Sequence, residues 1–118
     1  MEKKLYIYKA FVKEVYDGDT ITVDIDLGLK TFIHDEKIRL FGINTPELRG
    51  DEKQKGIISR DYLRTLILNK EILLETIKDE KGKYGRYLGI IWANKFGKEY
   101  TNINQLLVNE GLAVKKDY

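Results

Sequence analysis

Two short stretches and two single arginines of this sequence place polar groups that the core of a small domain does not need. Asp17-Gly18-Asp19-Thr20 puts two carboxylates in a tight turn at the start of a strand-like segment. Asn44-Thr45-Pro46-Glu47 offers an amide oxygen, a hydroxyl, main-chain carbonyls and another carboxylate, on a loop fixed by the only proline in the chain. Arg39, between Ile38 and Leu40, and Arg86, ahead of an apolar run, place guanidinium groups where each must reach an anion or the mouth of a barrel. Each stretch alone has an ordinary explanation as a turn, a loop before proline or a structural ion pair. Together they suit one chemistry. A hard cation such as Ca²⁺ takes several oxygen ligands in irregular geometry, two arginines match the oxygens of a phosphate, and a glutamate can activate or orient water. Those are the parts needed for phosphodiester hydrolysis.

Composition narrows the alternatives. The chain has 118 residues, 42% of them apolar and 34% charged, enough for one compact domain and too few for two, so residues 1–118 are expected to form a single domain. There is no cysteine and only one histidine, His34, which excludes a disulfide framework, a thiolate nucleophile and a multi-histidine metal site. Any metal must be held by oxygen. The formal charge of +2 is compatible with a phosphate-bearing partner without demanding one. No window reaches the roughly 18 apolar residues of a membrane span, and no apolar run follows the charged N-terminus, so the chain as given reads as a soluble, cytoplasmic monomer. A processed fragment would leave secretion open.

The elements that must position these residues follow from periodicity. Leu5 to Tyr16 reads as a first strand, and Ile21, Val23, Ile25 and Leu27 alternate with polar residues as a second, joined through Asp17-Gly18. Gly28 ends that strand, a polar loop containing His34, Asp35 and Glu36 follows, and Ile38 to Ile43 forms a third, with Arg39 on the same face as Phe41 and Ile43. Ile58, Tyr62 and Leu66, with Leu63 and Ile67 beside them, predict an amphipathic helix between about residues 51 and 68. Ile72 to Ile77 and Tyr87 to Ala93 are read as fourth and fifth strands, with Trp92 in the core, separated by a charged loop. Asn102 and Gln105 at capping-box spacing, with Gly111 as a stop, predict a short second helix, and Leu112 to Val114 a brief extended segment. This order suits a mainly β fold with two or three helices: a five-stranded β-barrel of the oligonucleotide-binding (OB-fold-like) type.

At this point the chain resembles a known family. Asp17-Gly18-Asp19-Thr20, Arg39-Leu40-Phe41-Gly42-Ile43-Asn44-Thr45-Pro46-Glu47, Lys83-Tyr84-Gly85-Arg86 and Asn109-Glu110-Gly111-Leu112-Ala113 resemble, in that order, the motifs of the staphylococcal (micrococcal, thermonuclease) nuclease family. The resemblance runs from about Tyr8 to Ala113 and implies an OB-type barrel with a Ca²⁺-dependent endonuclease of little sequence specificity, acting on DNA and RNA and leaving 3′-phosphate ends. Carried over by position, Asp19 would be a carboxylate ligand of the metal and Thr45 would give its main-chain carbonyl. Glu47 would act on the attacking water, and Arg39 and Arg86 would hold the scissile phosphate. Lys83 and Tyr84 match positions that contact a neighbouring phosphate. Asn44 departs from the family's best-known member, which has a second aspartate ligand there; the amide keeps an oxygen but removes a charge, which Asp17 would have to make up. That member also continues through a third helix and an aromatic wall, where this chain has only Lys115, Lys116 and Tyr118. The competing expectation is a catalytically impaired OB-fold module that binds single-stranded nucleic acid or a protein partner. Retention of Asp19, Arg39, Glu47 and Arg86 together favours the enzyme.

Overall fold

The computed structural model describes residues 6–81, 85–94 and 99–116, the side chains of 78–81 excepted. Its elements run β1 (Ile7–Asp17), β2 (Thr20–Gly28), β3 (Thr31–Leu40), β4 (Ile43–Asn44), a 3-10 turn (Gly50–Glu52), α1 (Lys53–Ile67), β5 (Glu71–Lys81), β6 (Tyr87–Asn94), β7 (Tyr100–Asn102), α2 (Ile103–Asn109) and β8 (Val114–Lys115). Strands β3, β2, β1, β5 and β6 are neighbours in that order. A parallel pairing of β3 with β6, from Ile38 opposite Tyr87 to Leu40 opposite Gly89, closes the ring. The expected five-stranded barrel is therefore present, mainly β with two α-helices. β7 adds to the edge of β6, and β4 and β8 form a separate two-stranded ribbon.

Alternation decides what fills the barrel. Ala10 and Val12 on β1, Ile21, Val23 and Ile25 on β2, Ile38 and Leu40 on β3, Ile72 and Leu74 on β5, and Ile91 and Ala93 on β6 point inward and are buried. Leu63 and Ile67 of α1 and Ile103 and Leu107 of α2 join the same core. α2 is well terminated. The Asn102 side chain accepts the Gln105 N–H at 3.0 Å, while the Gln105 side chain turns to Asn109 instead of back to the cap. At the other end Gly111, at φ +75°, completes a Schellman motif in which Leu112 N–H reaches Leu107 and Gly111 N–H reaches Val108.

Several expectations are corrected. The segment read as a polar loop before residue 38 is the first half of β3. Residues 31–35 are all exposed there, so the one-sided alternation that betrays a strand is missing, and His34 is a strand residue stacked on Phe32. β3 also stops at Leu40: Phe41 and Gly42 turn the chain, and Ile43 belongs to β4, so Arg39 does not share a strand face with Ile43. β5 runs on to Lys81, past the apolar residues. Trp92 is half-buried outside the core, its indole N–H donating to Glu75 at 3.0 Å.

The buried face of α1 is rotated from the apolar stripe. It is made by Gly56, Ser59, Leu63 and Ile67, while Ile58 is 57% exposed. Near its N-terminus the helix thus buries its smallest residues. A glycine within a helix costs about 1 kcal/mol relative to alanine, so its presence in the packed face asks for a steric reason.

Candidate active site

The β1–β2 connection is a two-residue turn, Gly18-Asp19, beside an irregularity in the strand register between Val15 and Asp17. Asp17 closes it by accepting the Asp19 N–H at 3.0 Å, an Asx-type turn. Asp19 is only 9% exposed. Its Oδ2 accepts the Thr45 N–H at 3.0 Å and lies 3.4 Å from Arg39 Nη2; its Oδ1 accepts the Thr20 hydroxyl at 3.3 Å. Thr20 Oγ1 in turn accepts from Arg86 Nη1 at 3.3 Å. One carboxylate thereby gathers the turn, the Thr45 loop and, directly or through Thr20, both arginines.

The loop after β3 is held from several sides. Leu40 N–H reaches the Asp19 carbonyl and Phe41 N–H the Gly89 carbonyl, both at 2.8 Å. β4 then pairs with β8, setting Asn44 opposite Val114, and Lys116 N–H bonds Gly42 O at 2.8 Å. Arg39 donates to Leu40 O at 2.8 Å and to Asn44 Oδ1 at 2.5 Å. The Asn44 oxygen therefore already serves as an acceptor for the guanidinium. Gly18 lies against the Thr45 side chain, and a Cβ there would stand 2.7 Å from Thr45 Cγ2. Glu47 is exposed and, among the described residues, holds no hydrogen bond or ion pair.

These residues border one cleft of about 800 Å³. Asp17, Asp19, Arg39, Asn44, Thr45, Glu47 and Arg86 all line it. Lys83 and Tyr84 lie outside the described residues. Gly111, Leu112 and Ala113 of the fourth motif also line the cleft, and others on it had no motif to announce them: Glu52, Lys55 of α1, Val114 and Lys116. Carboxylates and cations are mixed along its walls, so the cleft can meet both an anion and a metal ion.

Charge is least balanced at the turn. Burial, and then the neighbouring charge of Asp19, push the Asp17 carboxyl up to about 6 from an ordinary 3.8. Two crowded carboxylates, with the Thr45 loop beside them, are a donor set that a hard cation would relieve. It is a lean set: among the described residues no group of three or more His, Cys, Asp or Glu is assembled for a metal. Water would have to complete the coordination, which Ca²⁺ accepts.

Residues 37–118 match the family described as staphylococcal nuclease homologue. This chain belongs to that family. Over 110 residues it is 36% identical to the thermonucleases of Staphylococcus intermedius and Staphylococcus hyicus, which takes in 91% of this chain and 59% of each relative. The micrococcal nuclease of Shigella flexneri is 31% identical over 110 residues, covering 90% of this chain and 57% of that protein. The chain thus spans a little under three fifths of the length of the relatives it matches. The family match begins beyond the Asp17–Thr20 turn, but an alignment over 91% of the chain necessarily includes those positions.

In this member of the family, α1 supports the cleft through residues that hydropathy passes over. Ser59, 1% exposed, donates to the Leu112 carbonyl at 2.7 Å and so ties down the Gly111–Val114 wall. Arg64 donates through Nε and Nη2 to Val15 O, at 3.2 and 3.0 Å, just ahead of the carboxylate turn. Asn104 of α2, 4% exposed, bonds the Phe41 and Gly89 carbonyls and the Ile91 N–H, fixing the turn that leads into β4. A buried asparagine or serine must satisfy its polar atoms, yet the partners are 13 to 63 residues away in sequence, where no local pattern shows them.

Proposed function

We propose that this chain is a metal-dependent endonuclease that hydrolyses phosphodiester bonds of DNA or RNA with little sequence specificity, working as a single-domain monomer. The observation that carries the reading is the convergence of Asp19, Thr45, Glu47, Arg39 and Arg86 on one cleft. The names of its relatives, thermonuclease and micrococcal nuclease, support it.

Asp19 and the Thr45 main-chain carbonyl would hold a Ca²⁺, with Asp17 and the remaining capacity of the Asn44 oxygen beside them. When bound, Ca²⁺ supplies Lewis-acid polarisation and neutralises phosphate charge. Arg39 and Arg86 donate to the non-bridging oxygens of the scissile phosphate and stabilise the charge that builds as phosphorus becomes five-coordinate. Glu47, exposed on the cleft without a competing partner, orients the attacking water and takes its proton. In-line attack forms the new P–O bond as the P–O5′ bond breaks; the 5′-oxygen leaves with a proton taken from solvent water, and the 3′-phosphate remains.

The test is cleavage of heat-denatured DNA and of RNA with Ca²⁺ or with chelator, by the native chain and by Glu47→Gln. Metal-dependent cleavage that Glu47→Gln abolishes supports the mechanism, and cleavage indifferent to both chelator and that substitution sinks it. Two observations favour the binding-only alternative: the Asn44 oxygen is engaged by Arg39, and among the described residues no third acidic ligand is grouped with Asp17 and Asp19. Retained binding of single-stranded nucleic acid without cleavage is the result that would establish it.

A further inference from the structure

Helix α1 packs against the Pro46–Glu47 main chain at Gly56. At Gly56, in the buried face of the helix, an added Cβ would overlap the Glu47 carbonyl oxygen and stand 2.8 Å from the Glu47 carbonyl carbon and 2.9 Å from the Pro46 oxygen. All three atoms are main chain, so no flexible side chain can swing aside. The loop is equally hemmed on its other flank, where a Cβ at Gly18 would stand 2.7 Å from Thr45 Cγ2 and 2.9 Å from Thr45 Cβ. Ser59 and Arg64, farther along α1, anchor the Leu112 wall and the strand before Asp17. Three segments that form the cleft are thus referenced to one helix.

We propose that Gly56 is a positioning residue for the cleavage reaction: the absence of its side chain is the seat on which the Pro46–Glu47 main chain rests, and this seat fixes where the Glu47 carboxylate stands in the cleft. The inference rests on the nuclease reading for its catalytic consequence and on steric contact for its structural one. Any side chain at position 56 must lift the loop or tilt the helix. Moving a catalytic group by about 1 Å costs on the order of 100-fold in rate. Substrate affinity is set largely by the arginines and is expected to change little.

Kinetics of Gly56→Ala on denatured DNA provide the test, with Gln54→Ala in the same helical turn as control. The expected result is a kcat lowered about 100-fold with KM nearly unchanged. The same substitution should cost nothing further in a Glu47→Gln background, because a misplaced glutamine has no catalysis left to lose. An unchanged kcat in Gly56→Ala, or an equal loss in both backgrounds, overturns the proposal.

The native chain gives an independent reading in case the variant fails to fold. Nuclear Overhauser contacts between the Gly56 Hα protons and protons of residues 46–48 are required by the seat, and their absence overturns it whether or not the chain cleaves nucleic acid. Lack of cleavage by the native chain, with those contacts present and the Glu47 carboxylate ¹³C shift moved by Gly56→Ala, removes the nuclease reading and upholds the seat.

Discussion

Two clusters of like composition lie on this barrel, one in the cleft and one on the outstretched β2–β3 hairpin. In the cleft Asp19 accepts a main-chain N–H from Thr45 and faces Arg39; on the hairpin Asp24 accepts one from Asp35 and faces Lys13 and His34. The difference is water. Arg39 and Asp19 side chains are 11% and 12% exposed, whereas Lys13 and His34 are 40% and 66% exposed. Around Asp24 the Asp35 N–H outweighs what desolvation there is and lowers the carboxyl below its usual range; at Asp17 burial comes first and raises it. The same residue types make a solvated surface network in one place and a charge-strained site in the other.

The sharpest way to break this comparison is to neutralise one carboxylate that lines the cleft and one on the hairpin. Glu47→Gln should lower the cleavage rate by about 10²–10⁴-fold, the usual worth of a general base, whereas Asp24→Asn should leave the rate unchanged. Steady-state kinetics with denatured DNA decide it, and equal losses in both would end the distinction. Next in size, Arg39→Lys and Arg86→Lys keep the charge but lose the planar fork, and each should cost roughly 10²–10³-fold in kcat/KM. Asn44→Asp should lower the Ca²⁺ concentration needed for half-maximal activity several-fold, read from a metal titration. It should also slow turnover at saturating Ca²⁺, because a full charge grips Arg39 more firmly than the amide does.

Smaller effects concern stability against pH. Since the Asp17 carboxyl is raised when folded, the folded chain binds more protons between pH 3.8 and about 6. Stability in chelator should therefore fall as pH rises through that window and stay reduced above it. Asp17→Asn should remove that slope, and added Ca²⁺ should offset it; thermal melts across pH check both. Asp24 has the opposite sign. Its lowered carboxyl contributes stability above its ordinary value of 3.8 that is lost as pH falls, and high salt should trim only the part owed to Lys13 and His34, not the part owed to the Asp35 N–H. That is the smallest effect of the set.

Sequence patterns made the barrel legible because most of its inward face alternates, and they made the cleft legible because Asp17, Asp19, Arg39, Glu47 and Arg86 stand in short ordered motifs. They failed where the physics is not periodic. The outer half of β3 has no buried face to alternate against, so it read as loop. The packed face of α1 depends on Gly56 and Ser59, which add no hydropathy and act through their small size and one hydroxyl. Asn104 is a buried polar residue whose three partners come together only in the fold. The Asn44–Arg39 contact was likewise invisible: the substitution reads as a lost charge, and only geometry shows the amide holding the guanidinium.

The β4–β8 ribbon ties the cleft to the order of synthesis. Asn44 pairs with Val114, so the cleft that Glu47 lines is completed by residues made some 70 positions later. At translation rates of about 5–20 residues per second, roughly 4–14 s separate the two. During that interval the carboxylate turn and the Glu47 loop exist without the strand that finishes their cleft. Until residues 114 and 115 are made, a nascent chain lacks the strand that completes this cleft.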